Sequence, residues 1–184
     1  LGLIDYLVHG PRRPKTLVVT DIDDARLNRA ASILTPEDAA QNGVTLIYLN
    51  TKEDAVARLQ KIVDGKGYND VFVMAPVTPV VEQGDAILGY DGCMNFFAGP
   101  TDTMFSAKFN FYNVHYGNTH LVGTSGGRTA DIREALDLMS KGAINPAMMI
   151  THVGGLNAAG ETTMHLPDIK GGKKLIYTHI RMPL

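Results

Sequence analysis

Short runs of β-branched and apolar residues alternate along this chain with longer stretches of helical periodicity, and that alternation limits the fold more than any other feature. Residues 17–20, 44–49, 71–74, 93–97 and 120–123 read as strands. Their continuous apolar character, without in-out alternation, is that of strands covered on both faces. Between them the spacing predicts a helix over 24–34, with Ala25, Leu27, Ala30, Ala31 and Leu34 on one side. A second is predicted over 52–63, striped by Val56, Leu59, Ile62 and Val63, and a third over 129–140, striped by Ile132, Ala135, Leu136 and Met139 with Thr129 as its cap. Strand and helix in turn imply an α/β fold with a doubly wound parallel sheet.

Two regions break the rhythm. Residues 101–119 gather Phe105, Phe109, Phe111, Tyr112 and Tyr116, and the part from Phe109 to Tyr116 resembles an edge strand. It reads either as a packed loop or edge within the protomer, or as a self-associating edge that a second subunit covers; the subunit contact is preferred. After Pro146 the alternation stops. Met149-Ile150-Thr151-His152-Val153, a Gly-Gly pair and the strand-like 175–180 suggest chain returning to a different structural unit. The expected division is therefore a nucleotide-binding domain over 1–145 and a returning segment over 146–184. The opening Leu1-Gly2-Leu3-Ile4-Asp5-Tyr6-Leu7-Val8 runs straight into a helical pattern, so the chain is expected to be cut from a longer protein.

Seventeen Lys and Arg against nineteen Asp and Glu leave a net charge of −2, without blocks of one sign, so no field is available to draw in nucleic acid. No apolar stretch approaches the roughly 20 residues that cross a bilayer, and the first ten residues lack a signal-peptide pattern. A soluble, cytoplasmic protein is the expectation. Cys93 is the single cysteine, which leaves no internal disulfide and no multi-cysteine metal site, and it reads as a buried, inert thiol. The histidines at 115, 120, 152, 165 and 179 read as scattered residues without carboxylate partners, and His9 as exposed.

The sharpest chemical signal is Leu17-Val18-Val19-Thr20-Asp21, an apolar strand that ends in an acid just before a helix. A carboxylate there can accept both hydroxyl hydrogens of a ribose; capping of the helix is its bland alternative. In Rossmann-type dinucleotide-binding units such an acid follows a Gly-rich phosphate-binding turn by about 20 residues. That count places the turn at or before Leu1, so the first strand and the Gly-rich loop are expected to be missing. Asp21, flanked by Asp23 and Asp24, would repel a 2′-phosphate and argues for NAD, while Arg26 lies close enough to keep NADP open. A competing motif is Gly123-Thr124-Ser125-Gly126-Gly127, which fits the nucleophile elbow of a serine hydrolase, with Asp137 or Asp168 and His179 as partners. The short downstream chain and the lack of a glycine-rich oxyanion loop weigh against it. The same glycines suit close approach of backbone to a flat ring.

With Val18-Val19-Thr20-Asp21-Ile22-Asp23-Asp24-Ala25-Arg26-Leu27, Asp91-Gly92-Cys93-Met94-Asn95-Phe96-Phe97-Ala98-Gly99-Pro100 and His120-Leu121-Val122-Gly123-Thr124-Ser125-Gly126-Gly127 in view, the chain resembles the cofactor domain of zinc-type medium-chain dehydrogenases. Within that family it is most similar to the L-sorbose 1-phosphate reductases and sorbitol dehydrogenase-like proteins. The resemblance implies NAD-dependent hydride transfer, NADP being the alternative, on a sugar alcohol or sugar phosphate. It implies that Asp21 and Arg26 meet the adenosine ribose and that Ala75, Pro76 and Val77 line the path to the nicotinamide ribose. Phe97, Ala98 and Gly99, with Thr124, Ser125 and Gly126, would supply backbone contacts around the carboxamide. It further implies a second domain, outside this chain, that holds catalytic zinc and substrate. No catalytic residue and no metal ligand is assigned here. A non-catalytic dimerisation module through residues 105–120 is the reading from another class.

Overall fold

The computed structural model describes residues 1–184. In chain order the elements are α1 (Gly2–His9), β1 (Thr16–Asp21), α2 (Asp24–Ile33), α3 (Pro36–Gln41), β2 (Thr45–Asn50), α4 (Ala55–Ile62), β3 (Tyr68–Val73), α5 (Thr78–Ala86), β4 (Leu88–Phe96), α6 (Phe111–Tyr116), β5 (His120–Gly123), α7 (Thr129–Ser140), β6 (Ile150–Gly155), α8 (Ala159–Met164) and β7 (Lys173–Tyr177). Two compact units form, one from Leu1–Leu49 with Arg133–Leu184 and the other from Asn50–Ile132.

In the first unit β1 and β2 are hydrogen-bonded neighbours in a two-stranded sheet. Ile4 and Val8 lie one turn apart on α1 and enter a core with Leu34, Ala39, Val44 and Leu46, flanked by Leu17 and Val19 of β1. Burying a side chain such as Val8 contributes about 1.5–3 kcal/mol before the entropy of ordering it is subtracted. The Tyr48 hydroxyl donates to the Leu34 carbonyl at 2.8 Å, which satisfies an orphan acceptor at the end of α2. Burial pushes that phenol up to about 12. A second sheet of this unit pairs β6 with β7 in parallel.

The second unit holds a parallel sheet in the order β3-β4-β5. Val71, Met94 and Leu121 are register partners, so they share one face. Helix α5 covers the β3 and β4 part of that face, with Val81 packed on Val73 and on Met94, which is 0% exposed. The helix comes in at Gly84, where an added Cβ would lie 2.6 Å from the Met94 sulfur. Periodicity does not reveal α5, because Val80, Val81 and the two nearby prolines mask it. Pro79 sits in the first turn, where its missing N–H costs no intrahelical bond.

The edge strand expected over 109–116 is instead a helix. Asn110 caps α6 by accepting the Tyr112 N–H at 3.0 Å, and the Tyr112 and Tyr116 rings, one turn apart, meet at a tilt with centroids 4.5 Å apart. This local capping outweighs the β-propensity of the aromatics. The cluster also divides: Phe105 and Phe109 pack on the core, whereas Phe111, Tyr112 and Tyr116 are exposed. Asn110→Ala is expected to cost about 1 kcal/mol of stability, measured by chemical denaturation, with Asn110→Asp retaining most of it.

Candidate cofactor site

At the carboxyl end of β1 the backbone turns sharply into α2, and the acids there divide the work. Asp23 is the N-cap and accepts the Ala25 N–H at 2.8 Å. Asp21 therefore does not cap the helix. Its Oδ1 accepts the Asp23 N–H at 3.0 Å, and its side chain is 28% exposed. Arg26 reaches both acids loosely, with Nη1 3.7 Å from Asp21 Oδ2 and Nε 3.6 Å from Asp23 Oδ2. A long, water-accessible pair of this kind is weak and easily exchanged for a ligand. Asp21 thus presents an acceptor oxygen with a nearby cation. Ile22 between the acids, 67% exposed, is an apolar residue that sequence reasoning passed over. Its signal was available: a large hydrophobe directly after the strand acid.

The second unit places three loops at the carboxyl ends of its three parallel strands, and hence at one end of its sheet, where ligands bind in open α/β folds. Ala75, Pro76 and Val77 follow β3, Phe97, Ala98 and Gly99 follow β4, and Thr124, Ser125 and Gly126 follow β5. The Val73 carbonyl accepts the N–H groups of both Phe97 and Ala98 at 3.0 Å, which ties the first two loops together. Those two amides are spent, so the main-chain contact that Phe97 and Ala98 can offer is a carbonyl acceptor, suited to an amide NH2 group. Gly126 has φ +69, and an added Cβ on either Gly99 or Gly126 would meet nothing within 4 Å. The left-handed conformation explains glycine at 126. At 99 no internal packing requires it, which leaves open space over the main chain for a planar group.

Several residues differ from their expected setting. Cys93 is half-buried; burial, aided by Asp70, raises its thiol pKa, so it stays protonated. His120 does have a carboxylate partner, Asp91 at 3.0 Å, and His165 lies 3.5 Å from Glu161. His9 is not exposed but held between two carboxylates. No group of three or more His, Cys, Asp or Glu side chains is arranged to hold a metal ion. Within its own unit the Ser125 hydroxyl is not paired with a histidine, since His120 bonds Asp91 and His115 packs on Tyr116. No helix is long and apolar enough to cross a membrane.

Residues 16–141 match the model of a protein family described as zinc-binding dehydrogenase. The chain belongs to that family. Over 186 aligned residues it is 56% identical to a mannitol-1-phosphate 5-dehydrogenase of Aliivibrio fischeri, covering 100% of this chain and 44% of the relative. An L-sorbose 1-phosphate reductase of Klebsiella pneumoniae is 47% identical, with 98% of this chain and 43% of the relative covered. The chain therefore spans less than half the length of these relatives. Among solved structures, a protein of Sinorhizobium meliloti bound to NADP superposes with a TM-score of 0.73 at 16% identity, over 96% of this chain and 50% of that one. At that identity the likeness shows the fold, a Rossmann-like α/β domain of the zinc-binding dehydrogenase kind.

Proposed function

We propose that this chain is the cofactor-binding part of an NAD(P)-dependent zinc-type dehydrogenase that moves a hydride between nicotinamide and a sugar alcohol or sugar phosphate. The observation that carries the reading is Asp21: a strand-end carboxylate relieved of helix capping by Asp23, with Oδ2 facing only the distant Arg26 guanidinium. In this reading the free oxygen accepts a ribose hydroxyl, Ile22 offers an apolar face to the adenine, and NAD is preferred because a 2′-phosphate would meet Asp21 and Asp23. Arg26 is the residue through which NADP would be admitted. Ala75, Pro76 and Val77 would border the nicotinamide ribose. The carbonyls of Phe97 and Ala98, with Gly99, Thr124, Ser125 and Gly126, would hold the carboxamide.

The nicotinamide supplies the hydride chemistry, and this chain's residues orient it. Residues 1–145 act as the cofactor domain, and 146–184 lead toward the domain that would bind zinc and substrate. A phosphorylated sugar or sugar alcohol as substrate draws support from the two relatives, whose names both carry one. Self-association through 105–120 draws support from the exposed rings of Phe111, Tyr112 and Tyr116. β1 has one hydrogen-bonded neighbour, β2, which leaves its other edge open to a strand carrying a Gly-rich turn.

Calorimetric titration with NADH tests the reading, using this chain and a form extended upstream through such a turn. Binding by the extended form, with weak or no binding by the 184 residues alone, is the expected result. If neither form binds, the dehydrogenase reading fails and a binding or assembly module takes its place.

A further inference from the structure

Within the first unit, remote from the strand-end acid in sequence, His9 at the end of α1 is clasped from both sides. Its Nδ1 lies 2.7 Å from Asp5 Oδ1 and its Nε2 lies 2.7 Å from Asp38 Oδ2. Asp5 is almost fully buried, its side chain 4% exposed, and its second oxygen accepts the Asn145 N–H at 2.7 Å. One imidazole thus joins α1 to α3, and through Asp5 to the turn that precedes β6. These groups border a cavity of about 540 Å³, lined also by Leu34, Asn42 and Met148.

A neutral imidazole has one N–H and one bare nitrogen, so it can donate to only one of two carboxylates. Either tautomer would leave a lone pair facing a carboxylate oxygen at 2.7 Å. With both carboxylates ionised, only the imidazolium satisfies both contacts. We infer that His9 is a pH-operated clamp: doubly protonated, it ties α1 to α3 and steadies the Asn145 turn, and loss of one ring proton opens the α3 side.

The surroundings agree with this device. Burial alone would lower the imidazole pKa, but the hydrogen bonds and charges of Asp5 and Asp38 outweigh it and hold the group above its ordinary value. The other charged groups at hand are Arg13, which donates to the carbonyls of His9 and Gly10, and the Leu1 amino group, whose charge is felt by Asp5. From the remaining elements that line the cavity come Ile33 and Leu34 of α2, Asn42 after α3, and Gly142, Ala143, Asn145 and Met148, none of them charged. Because the folded pKa is raised, the stabilisation is complete below the ordinary histidine value and is lost as pH rises through the folded one. The loosening would be felt at β1, since Ile4 and Val8 of the same helix share a core with Leu17 and Val19.

The test combines nitrogen-15 NMR of the histidine rings with amide hydrogen exchange in the intact protein across pH. At neutral pH both His9 nitrogens are expected at imidazolium shifts. Through its titration, protection factors of segments 36–42 and 142–148 should fall about tenfold, the effect of one hydrogen bond to a charged group. Asp38→Asn is the decisive variant: its amide can donate to a neutral His9 while Nδ1–H still serves Asp5, so the contact should stay closed and the pH step should vanish. A single neutral tautomer at pH 7, or a pH step that persists in Asp38→Asn or in His9→Gln, would overturn the clamp.

Discussion

Replacing Asp21 with alanine is expected to weaken NADH binding by about 1–3 kcal/mol, roughly 5- to 150-fold, in a protein that includes the phosphate-binding turn. The size follows from the setting. One oxygen is occupied by the Asp23 N–H and the other faces Arg26 at 3.7 Å, so the substitution removes a charge-assisted acceptor without opening a core. Folding stability should change little, because Asp23 keeps the cap on α2 through the Ala25 N–H. Asp21→Asn sharpens the test. It preserves the shape and one acceptor while removing the charge that repels a 2′-phosphate, so the ratio of NADPH to NADH affinity should rise. Affinities measured by calorimetry that are unchanged in both variants would remove Asp21 from the cofactor site and with it the basis for preferring NAD.

Met94→Ala is the substitution expected to cost most in stability, about 2–5 kcal/mol. Met94 is 0% exposed and lies near the end of β4, the central strand of its sheet, beneath α5. The loss would combine transfer free energy with a cavity that the close helix approach prevents from collapsing. Gly84 offers an internal check, because its added Cβ would lie 2.6 Å from the Met94 sulfur. Gly84→Ala alone should destabilise by crowding, while in the double variant the new methyl occupies part of the space the methionine leaves. The two changes should therefore sum to less than their separate costs in denaturant unfolding. Strict additivity would mean that Gly84 and Met94 do not meet in the packed structure.

The strands were legible wherever the apolar run was uninterrupted: 17–20, 44–49 and 120–123 lie within a residue or two of β1, β2 and β5. Helix α7 spans Thr129–Ser140, the interval its stripe predicts. β4 starts earlier than expected because its first part bulges. Tyr68 pairs with Leu88 and then Asp70 with Cys93, so five residues along β4 oppose two along β3 and no period-2 pattern survives. Missing α5 and misreading α6 share a cause. Short helices are decided by a cap and by what lies beneath them, and six to nine residues hold too few turns for a stripe to show.

At the candidate site the sequence marked the acid at the strand end and the glycine-bearing loops after the strands, because both are local: an apolar run that stops at Asp21, and a turn that needs left-handed backbone at Gly126. Which acid does which work was not local. Asp21, Asp23 and Asp24 look alike in one dimension, and only the fold of the turn makes Asp23 the cap and leaves Asp21 an oxygen to offer. His9 shows the same division more plainly. Asp5, one turn away, could have been read from the sequence, but Asp38 stands 29 residues on and Asn145 meets Asp5 across 140. Sequence by itself determined the alternation of the strands with the longer helices α2, α4 and α7 and the family to which the chain belongs, because periodicity and motif spacing are carried by neighbours. Tertiary structure decided the two carboxylate partners of His9, the division of work between Asp21 and Asp23 and the helical state of 111–116. Each depends on hydrogen bonds and burial that exist only once the surrounding elements have packed.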